Sequence, residues 1–146
     1  MSPVTAVIPA ADVPGVCFPI DSMRGITFVS AHPKSPMRGC KEWSAGIIGL
    51  GELATTQKQG DITVVLGDLN SGTDHPSFRK LLNSGFKDAA LCEAKGRHAT
   101  FPSWLPWPRI ILDHVLFTKG LYASDVSSFC VEGSDHLALV ATLTLK

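Results

Sequence analysis

The sequence predicts an α/β fold in which a sheet is layered with helices, and three observations predict it. The first is the run Ile62-Thr63-Val64-Val65-Leu66, whose β-branched and apolar residues suit a strand buried on both faces. The second is the segment from about Gly39 or Cys40 to Gln57. There Trp43, Ile47, Leu50, Leu53 and Ala54 recur at spacings of three and four and form one apolar helical stripe. The third is the order of the remaining strand-like and helix-like runs, β-β-α-β-α-loop-β-β-β, a mixture that suits a layered architecture. At 146 residues the chain fits one domain around a single core. Hydrophobic residues make up 45% and charged residues 18%, the balance of a globular rather than a disordered chain.

In chain order, residues up to about Pro14 read as a loose lead-in rich in Ala, Val and Pro. They lack the basic start and continuous apolar segment of a signal peptide. Val16–Ile20 and Gly25–Ala31 read as strands joined by a turn over Asp21-Ser22-Met23-Arg24-Gly25. Pro33 and Pro36 then end regular pairing, and the long helix follows. Gly60-Asp61 closes that helix before the central strand. Beyond the strand, Asp74 or Thr73 can cap a short helix, Pro76 suits its first turn, and Phe78, Leu81 and Leu82 face inward up to Gly85. Phe86 to Ala94 predicts one further helical turn, and Gly96 to Pro108 a loop rich in Pro and Trp. Ile110–Thr118, Val126–Glu132 and Leu137–Leu145 complete the set as strands. No apolar run reaches the length needed to cross a bilayer. The helices cover one sheet face only, and an apolar face left open does not suit a soluble monomer.

Thirteen basic and thirteen acidic residues cancel, so no global field attracts nucleic acid, and a nuclease of this sequence needs a local patch. Cys17, Cys40, Cys92 and Cys130 are far apart and show no Cys-x-x-Cys spacing, which argues against zinc and leaves pairing undetermined. Cys17 and Cys130 fall inside predicted strands and read as buried thiols.

Four polar clusters stand at strand ends: His32, the pair Asp68 and Asn70, Asp113-His114, and Ser134-Asp135-His136. In an extended backbone Asp68 and Asn70 point the same way, offering a carboxylate and an amide together. Each cluster alone has a plainer reading. Gly-Asp-x-Asn can be a strand followed by an Asx-turn, a lone histidine is usually a surface or satisfied residue, and Ser134-Asp135 can be a turn. A layered sheet, however, can bring all four to one edge.

In these segments the sequence resembles the endonuclease/exonuclease/phosphatase family, which includes deoxyribonuclease I-like enzymes, abasic-site endonucleases, neutral sphingomyelinases and inositol-polyphosphate phosphatases. The matching segments are Val29-Ser30-Ala31-His32, Gly67-Asp68-Leu69-Asn70, Thr100-Phe101 ahead of Leu112-Asp113-His114-Val115-Leu116, and Gly133-Ser134-Asp135-His136. They run in the family's order from about residue 25 to the end of the chain. The resemblance implies a layered α/β-sandwich of the deoxyribonuclease I-like type and hydrolysis of a phosphate ester by a metal-assisted water. It implies that His32 bonds a phosphate oxygen, and that Asp68 orients or deprotonates the water or holds a metal. Asn70 would contact the phosphate or position Asp68. Asp135 would be a metal ligand, His136 would act on the phosphate as acid/base or electrostatic stabiliser, and Asp113 would buttress His136. Mg²⁺, or Mn²⁺, suits such hard oxygen ligands. A transition state rich in negative charge needs that kind of cation and proton donors.

The family also carries an N-terminal half with an asparagine and a metal-binding glutamate. None of Glu42, Glu52, Glu93 or Glu132 stands in such a context, and Glu42 and Glu52 read as the solvated face of the helix. Residues 1–146 are therefore expected to form one partial domain, the C-terminal half of the sandwich, with a mixed or mostly antiparallel sheet and helices on one face. Self-association through the open sheet face is expected with it. Pro76-Ser77-Phe78-Arg79, the Pro/Trp loop and His32-Pro33-Lys34-Ser35-Pro36 resemble bacterial members whose catalytic domain follows membrane segments and lies outside the cytoplasm.

Two features bear on substrate. Lys34, Arg38 and Lys41 follow His32 and can line a phosphate-binding rim, or be a solvated helix start. Trp104 and Trp107 can stack on a base or touch a lipid surface, or simply pack over the site's edge. The substrate stays open between nucleic acid, phospholipid and sugar phosphate. The alternative to an enzyme is a non-catalytic binding or scaffold module that keeps the fold.

Overall fold

The computed structural model describes residues 2–8 and 11–146. Six strands form one mixed sheet. β1 (Ser2–Ile8), β2 (Ala11–Pro19), β3 (Gly25–Ser30) and β4 (Ile62–Asp68) follow one another across it, then β6 (Asp113–Phe117) and the two-residue β5 (Lys87–Asp88). β3 and β4 are parallel, and β6 runs antiparallel to β4. The end of β3, the end of β4 and the start of β6 therefore share one edge of the sheet, from which three of the four predicted polar clusters issue; the fourth, Ser134-Asp135-His136, comes from the turn between the last two strands.

Side chains alternate across β4. Val65 enters a core with Val29, Ala31, Trp43, Ile47, Leu50, Phe78, Leu81 and Leu116, beneath α1 (Cys40–Gly49) and α3 (Pro76–Asn83). Ile62 and Val64 enter a second core on the opposite face with Val115, Phe117, Leu121 and Val126. That face is covered by a two-stranded antiparallel sheet, β7 (Leu121–Cys130) with β8 (Leu137–Leu145), and by α4 (Ala89–Glu93). The expectation of a sheet face without cover is corrected in this respect: the last two strands leave the main sheet and fold back over it. Their apolar residues alternate, as one buried and one solvated face require.

Four further expectations are corrected. The predicted lead-in is paired structure, since β1 forms an antiparallel ladder with β2 from Ser2↔Cys17 to Ile8↔Ala11. The single long helix is two, α1 and α2 (Glu52–Thr56), broken around Leu50-Gly51. Gly46, Gly49 and Gly51 lower helix propensity there. A Cβ on Gly51 would also stand 2.8 Å from Ser84 Oγ at the end of α3, so close packing holds the break. The N-cap of α3 is His75, and neither Thr73 nor Asp74 caps it. The His75 ring turns back instead, and its Nδ1 accepts from Gly72 N at 3.1 Å. Cys17 is half-buried, and Cys130 is exposed rather than buried, as the last residue of β7 at the turn into β8; all four cysteines are free thiols. Among the described residues no helix is long and apolar enough to cross a membrane.

Candidate active site

Asp68 closes β4 and Asp113 opens β6, and the register sets them directly opposite each other. Two carboxylates in that relation repel unless a cation or proton donor stands between them. His136 supplies one. Its Nδ1 lies 2.7 Å from Asp113 Oδ2, and its Nε2 is 3.8 Å from Asp68 Oδ2. His32 approaches the same Asp68 oxygen from the end of β3, Nε2 to Oδ2 at 3.4 Å. Burial alone would lower the His136 pKa. The Asp113 hydrogen bond and the charges of Asp113, Asp68 and Asp135 outweigh it and raise the ring above its ordinary 6.5.

The supports of these groups are built into neighbouring elements. Thr100 Oγ1 donates to Asp113 Oδ2 at 2.6 Å, and the Phe101 ring lies 4.8 Å from that of His136. Gly67, at φ 144, passes so near β3 that a Cβ would meet the Ala31 carbonyl oxygen at 2.0 Å. Only glycine allows this approach, and the approach brings His32 to Asp68. Past Asp68 the chain leaves the strand. Asn70 adopts φ 49, and its N–H donates to Asp68 Oδ1 at 2.8 Å, the Asx-turn of the plainer reading. Asn70 therefore does not project beside Asp68 as an extended strand would have it. Its Nδ2 donates to the Pro33 carbonyl at 3.3 Å, and it lines a cleft of about 320 Å³ with His32, Lys34, Ser35 and Arg38. The structure thus gathers His32, Asp68, Asn70, Asp113 and His136, with Lys34 and Arg38 on an adjoining wall. Lys41 does not line that cleft.

Asp68, Asp113 and His136 each offer a ligand atom within 4.8 Å of the others. Asp135 is exposed and near enough to act on the charge of His136, but it stands outside that group of three. None of the four glutamates belongs to the group either. The Glu93 carboxylate is spent on Val126 N and His98.

Sequence reasoning gave His114 only as the neighbour of Asp113 and missed the second tier that it builds with Asp88. His114 is buried with Asp88: Nδ1 lies 2.5 Å from Asp88 Oδ2, and Nε2 is 2.7 Å from the Ser71 carbonyl. Trp43 Nε1 donates to the Asn70 carbonyl at 3.1 Å. Together they fasten the turn after Asp68 to β6 and α1. The one available signal was parity. In β6, His114 shares the helix-facing side with Leu116, where an ionisable residue needs a partner. Trp104 and Trp107, 71% and 82% exposed, do not pack over the site.

This is a layered α/β sandwich with a carboxylate–imidazole cluster at one sheet edge. The chain belongs to the endonuclease/exonuclease/phosphatase family, whose family model matches residues 3–136. No curated protein sequence matches it. Among solved structures, a humanized D. rerio TDP2 aligns at 12% identity and TM-score 0.78, covering 99% of this chain and 66% of that one. The human nocturnin catalytic domain with bound sulfate aligns at 18% identity and TM-score 0.75, covering 100% and 59%. A mannosyl-6-phosphatase of Bacteroides thetaiotaomicron aligns at 17% identity and TM-score 0.69, covering 92% and 57%. The chain thus spans between about half and two thirds of the length of these structures, and the likeness establishes the fold.

Proposed function

We propose that this chain carries the site of a phosphoesterase that hydrolyses a phosphate ester with an activated water. Membership of the family supports the reaction class. The single observation that carries it is Asp68 Oδ2 facing both His32 and His136, with His136 backed by Asp113. In this reading Asp68 orients the attacking water and takes its proton. His136, whose carboxylate neighbours favour its charged form, donates to the phosphoryl oxygens as negative charge develops. His32 bonds a further phosphate oxygen, Asn70 holds the turn on which Asp68 sits, and Lys34 and Arg38 bind the substrate's anionic side.

The donor set fits a divalent cation. Two carboxylates suit Mg²⁺ or Mn²⁺ that retains several waters, and Asp68 and Asp113 would hold it, with Asp135 recruited from the mouth. Such an ion would supply charge neutralisation at the phosphoryl group and a more acidic water. The glutamate that the family resemblance expects is not in the group, which supports reading residues 1–146 as a partial domain with weak affinity for the ion.

Calorimetry with Mg²⁺ and Mn²⁺, beside hydrolysis of bis(p-nitrophenyl) phosphate, tests this. Weak binding and slow hydrolysis, both lost in Asp68→Asn and Asp135→Ala, are expected. Hydrolysis equal in the parent chain and in His136→Ala would defeat the assignment and favour a scaffold module. Which ester is cleaved follows from comparing single-stranded DNA, a phospholipid and a sugar phosphate. The solved structures include a D. rerio TDP2 complexed with a single-strand DNA product and the mannosyl-6-phosphatase.

A further inference from the structure

The loop from Phe101 to Ile110 is more rigidly held than its exposure suggests. Ile110 N donates to the Phe101 carbonyl at 2.8 Å, and Phe101 N to the Ile110 carbonyl at 3.2 Å, closing its base. Arg109 spans the interior, with Nε on the Pro102 carbonyl at 3.1 Å and Nη2 on the Ser103 carbonyl at 2.9 Å. Ser103 ties the loop to the catalytic turn, its N–H on the Asp135 carbonyl and its Oγ on the Ser134 carbonyl, both at 2.7 Å. Yet the rings at its tip stand mostly in water. Trp104 and Trp107 stand 71% and 82% exposed, and at the base Ile110 is 53% exposed. Large apolar rings fixed in water on a stiffened frame are not a core arrangement; they mark a contact surface. The loop leads into the start of β6, so whatever it binds is held beside the catalytic edge.

Its chemistry favours one kind of partner. A surface for single-stranded nucleic acid interleaves aromatic rings with cations that follow the phosphates. From Ala99 to Pro108 there is no charged residue, and Arg109 is occupied by carbonyls. Uncharged indoles with Leu and Pro suit the headgroup level of a bilayer, where ring faces meet acyl chains and the N–H meets water. The end of β3 leads from the same edge into Met37, 96% exposed, and into Lys34, Arg38 and Lys41, which make no ion pair among the described residues.

We infer that the catalytic edge docks on an anionic phospholipid bilayer. Trp104 and Trp107 enter the headgroup layer, and the Lys34–Lys41 flank lies on the anionic headgroups. The docking does not depend on the phosphoesterase reading. Only its consequence does, that the ester hydrolysed is one presented at a membrane surface.

The experiment is co-sedimentation of the full chain with vesicles of phosphatidylcholine and phosphatidylglycerol, with tryptophan emission recorded in parallel. A mixed-sequence single-stranded oligonucleotide serves as competitor. Trp43 is buried, so a shift of emission reports on the loop. Partitioning with a blue shift is expected. Trp104→Ala and Trp107→Ala should each weaken it about tenfold, and the pair about a hundredfold. Hydrolysis of a small soluble ester should be unchanged in these variants. Absence of partitioning, or partitioning unchanged in the double variant, overturns the proposal. Oligonucleotide binding that depends on the two tryptophans, without vesicle binding, overturns it too and assigns the loop to nucleobases.

Discussion

His136 is the residue on which the site's charge balance turns. Its neighbours raise its pKa above 6.5 despite burial, so it stays protonated to a higher pH in the folded chain than in the unfolded one. Its contribution to stability is complete below about 6.5 and is lost as pH rises through the folded value. The NMR titration of its ring should therefore have a midpoint above 6.5, and Asp113→Asn should bring that midpoint down. A midpoint unchanged by Asp113→Asn would mean that the carboxylate does not act on the ring. Gly67 sets the other approach. Gly67→Ala places a methyl 2.0 Å from the Ala31 oxygen and forces β3 and β4 apart, at a cost of about 3 kcal/mol in urea unfolding. His32, Asp68, Asp113 and His136 were legible because polar residues that interrupt or end apolar runs stand out in a sequence. The supports were less so: Thr100-Phe101 stood out only as a segment shared with the family, with no contact to Asp113 or His136 read from it, and Asp88 lies in a two-residue strand where no periodicity assigns a direction.

At the scale of elements, the turn after β4 is held less by its own residues than by what reaches it from β6 and α1. The Ser71 carbonyl faces His114 Nε2, so that nitrogen carries a proton, and Nδ1 shares one with Asp88. Removing one member leaves the other buried and unpaired. His114→Ala should therefore destabilise by about 3–5 kcal/mol, and His114→Ala with Asp88→Ala by less than the sum of the two single changes. Additive losses in a double-mutant cycle would mean that the pair is not coupled. The same scale shows what periodicity can and cannot carry. It found α1, α3 and β4, whose apolar residues repeat. It did not show that the first helix stops at Leu50-Gly51, which depends on the approach of Ser84 from another element. Nor did it place β7 and β8, because an alternating strand reads alike whether it joins the main sheet or folds over it.

For the whole molecule, the unequal size of the two sheets is the governing feature. Six strands on one side meet two on the other, so β7, β8 and α4 cover only part of the face they pack on. Toward β2, Phe18 lies against Phe28 at 6.0 Å between ring centroids and is 38% exposed. At the catalytic edge Leu66 is 37% exposed, beside a cleft of about 380 Å³ that it lines with Val115, Leu139 and His136. Ile26, the register partner of Phe18, and Ile20 pack on the second core only in part. An apolar sheet end covered only in part favours association in water, and a second copy presents a matching one. Sedimentation velocity should therefore give a mass that rises with concentration, and Phe18→Lys should shift the population toward monomer. Phe18 lies away from Asp68, Asp113 and His136, so loss of self-association in this variant with the His136 ring titration unchanged would separate assembly from the site. A mass that stays monomeric across the accessible concentration range would mean that the cover given by β7 and β8 suffices, and that the exposed Phe18 is tolerated as an isolated surface residue.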